Sequence, residues 1–390
     1  MMIYVYTALL SCMFVWLAAM PLCSKHQQWA LWIGAFLVMW FPAAIRLDIG
    51  VDYSRFQGYS ELYTIYGSGG SIPQGMDIGF VALIRVLWTI SKSPQLLFAV
   101  SSAFIYALMM RACKRLSLHP VFSLALFFIA GFYFETYNII RQWMALACIF
   151  NALEWIAPSA FAQHEPDQKS SVIQRDSTAE KTGEKSYNTL HCFACYGAWV
   201  LLGAAFHISA LIFLLLWPLY FLKLNSKRAL VLLAVFLVVG YVAKNVGKVV
   251  LSGTRFGRYL YDSSSGYAVV SPHWDSIIVM SICLVFILWQ FRRKQELSRW
   301  DNALVLLSVL GCASALAGLY MPFIFERIAR YFAPFILLQL PTAVMEEQST
   351  HKRYAYILAI MACWLLATFV RVYFGGQFGV LPFQSIFLHA

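Results

Sequence analysis

Long apolar runs follow one another along almost the whole chain, and that feature alone removes most of the folds open to a polypeptide of this size. A helical segment of about 20 residues, rising 1.5 Å per residue, crosses roughly 30 Å of hydrocarbon. Runs near that length occupy residues 2–22, 29–45, 95–110, 119–136, 139–157, 191–206, 207–222, 229–243, 277–291, 302–321, 331–345 and 354–373. Of 390 residues 61% are hydrophobic and 12% charged, against about 25% charged in an ordinary soluble domain. Too few polar side chains exist to clothe a water-facing surface. The expected fold is therefore all-α: a polytopic integral membrane bundle of about twelve transmembrane helices, one transmembrane domain over 1–390. The first run lacks a basic start and a small-x-small cleavage site, so it reads as a retained span. Nine cysteines, mostly inside apolar runs, give no secreted disulfide framework.

The formal net charge of +11 would suit nucleic acid, but its distribution does not. No basic stripe interleaved with aromatics lies on a soluble segment; Lys and Arg gather at the ends of apolar runs, where they orient helices. If Arg111, Lys114 and Arg115 are cytoplasmic, alternation places Lys227, Arg228, Arg292, Lys294, Arg299, Lys352 and Arg353 on the same side and both termini outside. That count requires the stretch 79–90, interrupted by Arg85, to be an interfacial helix rather than a span. It also requires 191–222, about 48 Å long as one helix, to turn near His207 into two short spans. The external loops are then 46–94 and 244–276, with a tail from 374. The cytoplasmic loop 158–190 is polar, mixed in charge and without periodicity, which predicts disorder.

The external side carries more arginine than orientation requires, and arginine grips phosphate through a planar, bidentate fork. An anionic ligand there is the economical reading; interfacial anchoring is the competing one. Arg46 opens a segment containing Asp48, Gly50, Asp52, Tyr53 and Arg55, which brings phosphate donors, candidate proton acceptors and a sugar-stacking ring within ten residues. Asp48 and Asp52 would share a face if that segment were helical. Arg141 and Gln142 head the run 139–157, where a helix N-terminus reinforces an anion site; a structural pair with Glu135 is the alternative. His207 interrupts an apolar stretch and must bond to something, either a neighbouring helix or a ligand. Arg255, Arg258 and Tyr259 form an Arg-x-x-Arg-Tyr pattern repeated at Arg327, Arg330 and Tyr331, with Glu326 as a competing partner.

No Walker A loop, dinucleotide fingerprint, H-E-x-x-H or G-x-S-x-G is present. Cys192 and Cys195 have redox spacing but no thioredoxin-like context. No cofactor is expected, and no carboxylate cluster dense enough for a metal is visible.

The succession Arg46, Gly50-x-Asp52-Tyr53, Asp77-Ile-Gly79-Phe80, Arg141-Gln142-x-x-Ala145 and Phe206-His207-x-Ser209-Ala210-Leu211 resembles the EpsG family of bacterial exopolysaccharide and O-antigen polymerases, a Wzy-type group. The chain departs from the family pattern at Phe56, where Tyr is usual, and at Asp77, where Glu is common; no role is assigned to either position. The resemblance implies a fold like that of C-type membrane glycosyltransferases, in the bacterial inner membrane with its site toward the periplasm. It implies oligosaccharide repeat units on undecaprenyl pyrophosphate as substrate, membrane lipid as surroundings, and a chain-length regulator as a candidate partner. In that frame Asp52, Asp48 and His207 are candidate catalytic groups. Arg46, Arg141, Gln142, Arg255, Arg258, Arg327 and Arg330 would hold pyrophosphate, and Tyr53, Tyr259 and Tyr331 would line the sugar path. Two other readings use the same residues: a flippase for lipid-linked oligosaccharide, and a membrane O-acyltransferase with His207 as base.

Overall fold

The computed structural model describes residues 2–53, 58–72, 76–156, 189–222, 224–251, 274–292, 294, 296–320 and 322–387. Among them every regular element is helical, in agreement with the composition. The chain divides into two compact units, Met1–Trp217 with Trp364–Ala390, and Pro218–Cys363.

The first unit holds α1 (Met2–Ala18), α2 (Lys25–Ile45), α3 (Tyr59–Gly67), α4 (Ile78–Ile90), α5 (Gln95–Leu116), α6 (Pro120–Ile129), α7 (Phe132–Glu135), α8 (Ile140–Ala152) and α9 (Thr189–Phe206). A 3-10 segment Ile208–Leu215 follows, and the chain leaves this unit within the turn α10 (Leu216–Leu219). The second unit holds α11 (Ser226–Leu251), α12 (Trp274–Phe291), α13 (Arg299–Ala317), α14 (Pro322–Phe332) and α15 (Ile336–Met345), and the chain leaves it within α16 (Thr350–Phe369).

Among the described residues seven helical segments are long and apolar enough to cross a membrane: Lys25–Ile45, Gln95–Leu116, Thr189–Phe206, Ser226–Val246, Arg299–Ala317, Phe325–Met345 and Thr350–Phe374. Shorter apolar helices at Met2–Ala18, Ile78–Ile90, Pro120–Ile129, Ile208–Leu219 and Ile277–Phe291 fall below that length. The number of apolar helices of spanning length makes this a multi-pass membrane protein. The loop expected at 158–190 and most of the loop at 244–276 lie outside the described residues.

Local chemistry explains where helices begin and break. Ser24 caps α2 through a box with Gln27, and Pro120 starts α6 with the His119 ring accepting the Phe122 N–H at 3.1 Å. The run 119–136 is not one helix, because Gly131 sits at φ +84 between α6 and α7. The run 191–222 breaks where expected, at His207, although neither Pro nor Asn marks the place. The Tyr196 hydroxyl donates to the Phe213 carbonyl at 2.5 Å, a contact that needs the chain to double back there.

Helix α8 is the core of the first unit: from Gln142 to Ala152 every residue is buried. Two close approaches fix its neighbours. A Cβ on Gly203 would lie 3.0 Å from the Ala145 carbonyl, so α9 packs backbone to backbone on α8. A Cβ on Gly79 would lie 2.7 Å from the Ala205 carbonyl, so the start of α4 is seated directly on the end of α9. The segment after α16 returns to the loop that follows α2. Leu47 N–H donates to the Gln384 carbonyl at 3.1 Å, Gly50 N–H to Gly379 at 2.9 Å, and the Asn138 amide to Phe378 at 3.1 Å.

Candidate functional site

The seating of α4 on α9 brings Asp77, the residue preceding α4, against His207, the residue following α9. Asp77 occupies the N-cap position of α4 but makes no side-chain bond to its own helix. Its Oδ1 accepts the Ile208 N–H at 3.0 Å, so it caps the neighbouring 3-10 segment instead. Its Oδ2 faces the Arg141 guanidinium, Nη1 at 2.8 Å, and the His207 ring, Nδ1 at 3.1 Å. The carboxylate side chain is 4% exposed, and those of Arg141 and His207 are 26% and 24% exposed. A buried anion is thus covered by two groups that reach the surface.

The electrostatics follow from this packing. Burial pushes the Asp77 carboxyl up, but the hydrogen bonds from His207 and the Ile208 amide, followed by the charges of His207 and Arg141, outweigh it and hold Asp77 below the ordinary carboxylate value. An ionised carboxylate only accepts hydrogen bonds, so His207 Nδ1 is the donor of that contact. In neutral His207 the second ring nitrogen, Nε2, then carries the basic lone pair.

Arg141 is held on several sides. Beyond Asp77 it approaches Met76 Sδ at 3.2 Å, stands over the Phe80 ring at 5.9 Å and meets the Tyr59 hydroxyl. Tyr59 is buried against Phe80, and its N–H donates to the backbone carbonyl of Asp52 at 2.9 Å. Asp52, Tyr59, Arg141, Asp77 and His207 therefore form one chain of contacts drawn from four separate stretches of sequence.

The remaining sequence candidates are placed as follows. Residues 46–53 are not helical: Asp48 has φ +51 and Gly50 φ +104, so Asp48 and Asp52 do not share a helix face as the spacing allowed. Asp48 is exposed, and its backbone N–H meets the Tyr53 hydroxyl. Tyr53 is buried and stacks on Phe98 at 4.8 Å. Arg46, expected to grip an external anion, is 2% exposed, with its guanidinium between the rings of Phe98 at 4.6 Å and Tyr137 at 4.4 Å. Tyr4, Tyr106 and Tyr133 complete that aromatic surround. Its position is a packing position, because aromatic faces attract a desolvated cation in place of a carboxylate.

Gln142 is buried beside Arg141 in the core of α8. Arg141 pairs with Asp77 rather than following the Glu135 alternative. In the second unit Arg327 is exposed on α14, Arg330 pairs with Glu326 at 2.5 Å one turn back, and Tyr331 is buried. Arg255, Arg258 and Tyr259 lie outside the described residues. Among the described residues no group of His, Cys, Asp or Glu is arranged to hold a metal ion.

Asp77 and Tyr59 are the residues that sequence reasoning left without a role. For Asp77 a signal existed: a lone carboxylate immediately before an apolar helix needs a partner, whatever residue type is usual there.

The EpsG family model matches residues 29–163 and 188–385, which include every member of the Asp77 cluster. The chain belongs to the EpsG family. Membership places it with membrane proteins of polysaccharide biosynthesis, polymerase-like in role. No curated protein and no solved structure matches the chain. The EpsG elements noted in the sequence thus converge in space: the Asp-x-Gly element supplies the carboxylate and the close approach, the Arg-Gln element the guanidinium, and the His-x-Ser-Ala element the imidazole.

Proposed function

We propose that this EpsG-family protein is a membrane glycosyltransferase that joins oligosaccharide repeat units carried on undecaprenyl pyrophosphate, at the periplasmic face of the bacterial inner membrane. The observation that carries the reading is the single carboxylate oxygen of Asp77 shared by Arg141 and His207.

The chemistry asks for a base to take the acceptor hydroxyl proton and for cations to stabilise a departing pyrophosphate. In our reading His207 Nε2 removes the proton while Asp77 holds the ring and stabilises the imidazolium that forms, the arrangement of an Asp–His dyad. The acceptor oxygen attacks the anomeric carbon of the growing chain, the bond to the pyrophosphate oxygen breaks, and lipid pyrophosphate departs. Arg141 has five N–H donors, of which Asp77 and Tyr59 occupy part, and the remainder face the leaving group. Asp52 and Tyr59 orient the acceptor sugar. The energy lies in the activated donor, so no nucleotide is needed. Arg46 is outside the proposed binding set because its guanidinium is enclosed by rings. Arg255, Arg258, Arg327 and Arg330 remain candidate pyrophosphate ligands, and the twelve-span topology with both termini external is part of this proposal.

Reconstitution tests it. Purified protein in liposomes, given lipid-linked repeat units, should yield a polymer ladder, and His207→Gln at equal protein level should yield almost none. Translocation of the units without any polymer would replace this reading with the flippase.

A further inference from the structure

A cavity of about 700 Å³ opens in the second unit, where the start of α11, the end of α12 and the start of α13 come together. Lys227, Arg228, Arg292, Lys294 and Arg299 line it, with Glu296 as the lining carboxylate. Lys294 is balanced from behind by Asp301 at 2.7 Å and Glu346 at 2.9 Å. Lys227, Arg292 and Arg299 are exposed.

The cavity is built rather than incidental. Asn302 at its wall is buried and uses both ends of its amide: Nδ2 donates to the Tyr220 carbonyl at 2.9 Å and to Leu222 at 2.6 Å, while Oδ1 accepts the Leu224 N–H at 2.8 Å. That residue fixes the turn before α11 against α13. Two helix N-termini, each capped by a side chain at Asn225 and Ser298, meet there and add their partial positive charge. Leu288 and Val305 supply apolar wall. Orientation in a membrane calls for cations at this end, but not for their convergence around a concavity, where a bound anion would lower their mutual repulsion. The volume lies in the range of small-ligand sites, and basic pockets between helices at a cytoplasmic boundary suit phosphate headgroups.

We propose that this cavity binds a phosphate-bearing anion at the cytoplasmic end of the second unit, through residues other than those of the Asp77 cluster. The ligand class is a phosphate group with an apolar substituent, either an anionic lipid headgroup or a soluble phosphate compound. The phosphate is gripped by Arg292 and Arg299, with Lys227 and Arg228 completing the charge.

The test uses the full chain in zwitterionic nanodiscs, titrated separately with short-chain phosphatidylglycerol and with inorganic phosphate. Saturable binding is expected for at least one probe. Arg292→Gln with Arg299→Gln should weaken it roughly 25-fold, about fivefold per cation. A charge-matched control, Lys25→Gln with Lys352→Gln, should leave affinity unchanged, as should Arg141→Gln, which separates this site from the proposed catalytic one. Binding of the lipid alone assigns the headgroup; binding of both assigns the phosphate group itself. No saturable binding of either probe, equal affinity in the cavity variant, or equal loss in the control would overturn the proposal.

Discussion

His207 Nδ1 lies 3.1 Å from Asp77 Oδ2, two residues 130 positions apart that meet where the start of α4 rests on the end of α9. The same oxygen takes the Arg141 guanidinium at 2.8 Å. Removing the charge from this centre leaves the Arg141 guanidinium without this counter-ion and the His207 ring without the carboxylate that holds it.

Asp77→Asn keeps the side-chain volume and loses the anion. The amide no longer enforces which ring nitrogen of His207 carries the proton, and polymer formation should fall by two to four orders of magnitude. The rate of ladder formation by purified protein, compared at equal protein concentration, measures this. Wild-type rates would remove Asp77 from the mechanism.

Arg141→Lys replaces a planar fork with a point charge. The ammonium can still pair with Asp77, so the protein should fold and insert, but it cannot also grip two phosphate oxygens. Activity is expected to drop at least about tenfold while the thermal unfolding midpoint stays near that of the wild type. A large fall in the midpoint with normal specific activity would assign Arg141 to packing alone.

Gly79→Ala tests the close approach. The new methyl would stand 2.7 Å from the Ala205 carbonyl, and backbone cannot yield as a side-chain tip can. We expect about 1–3 kcal/mol of destabilisation and a matching loss of activity as Asp77 is lifted from His207. Chemical or thermal unfolding in detergent provides the comparison; an unchanged midpoint would show that α4 docks by other means.

The depressed titration of Asp77 gives a pH signature. A carboxylate whose folded value lies below its unfolded one, about 4, contributes stability that is fully present above that pH and is lost as pH falls through the folded value. The stability gap between the wild type and Asp77→Asn should therefore be flat across neutral pH and close only in strong acid. Melting curves of both proteins over that range will show it; a gap that closes between pH 6 and 7 would trace the effect to another group.

Arg46→Lys should weaken the fold rather than the chemistry. A guanidinium stacked between Phe98 and Tyr137 gains from both faces, and a lysine ammonium cannot lie flat between two rings. About 1–3 kcal/mol of stability should be lost, with catalysis per folded molecule retained, as read by unfolding and by activity normalised to folded protein.

Composition and the spacing of apolar runs were enough to establish a helical membrane protein, because hydrocarbon demands the same helical solution from any such sequence. The stretch 79–90 forms a discrete helix, Ile78–Ile90, and the break at His207 was legible from length alone. The order of the EpsG motifs was legible as well. What the sequence left open was pairing. Nothing local to Asp77 names His207 or Arg141 as its partners, and nothing local to Arg46 says that its fork points into rings. For Asp77 the choice comes from Gly79 and Gly203, which let α4, α9 and α8 approach until distant polar groups must satisfy one another out of water. Tertiary packing decided which arginine holds a carboxylate and which is enclosed, because the cost of an unpaired charge in a buried site depends on neighbours that only the folded chain supplies.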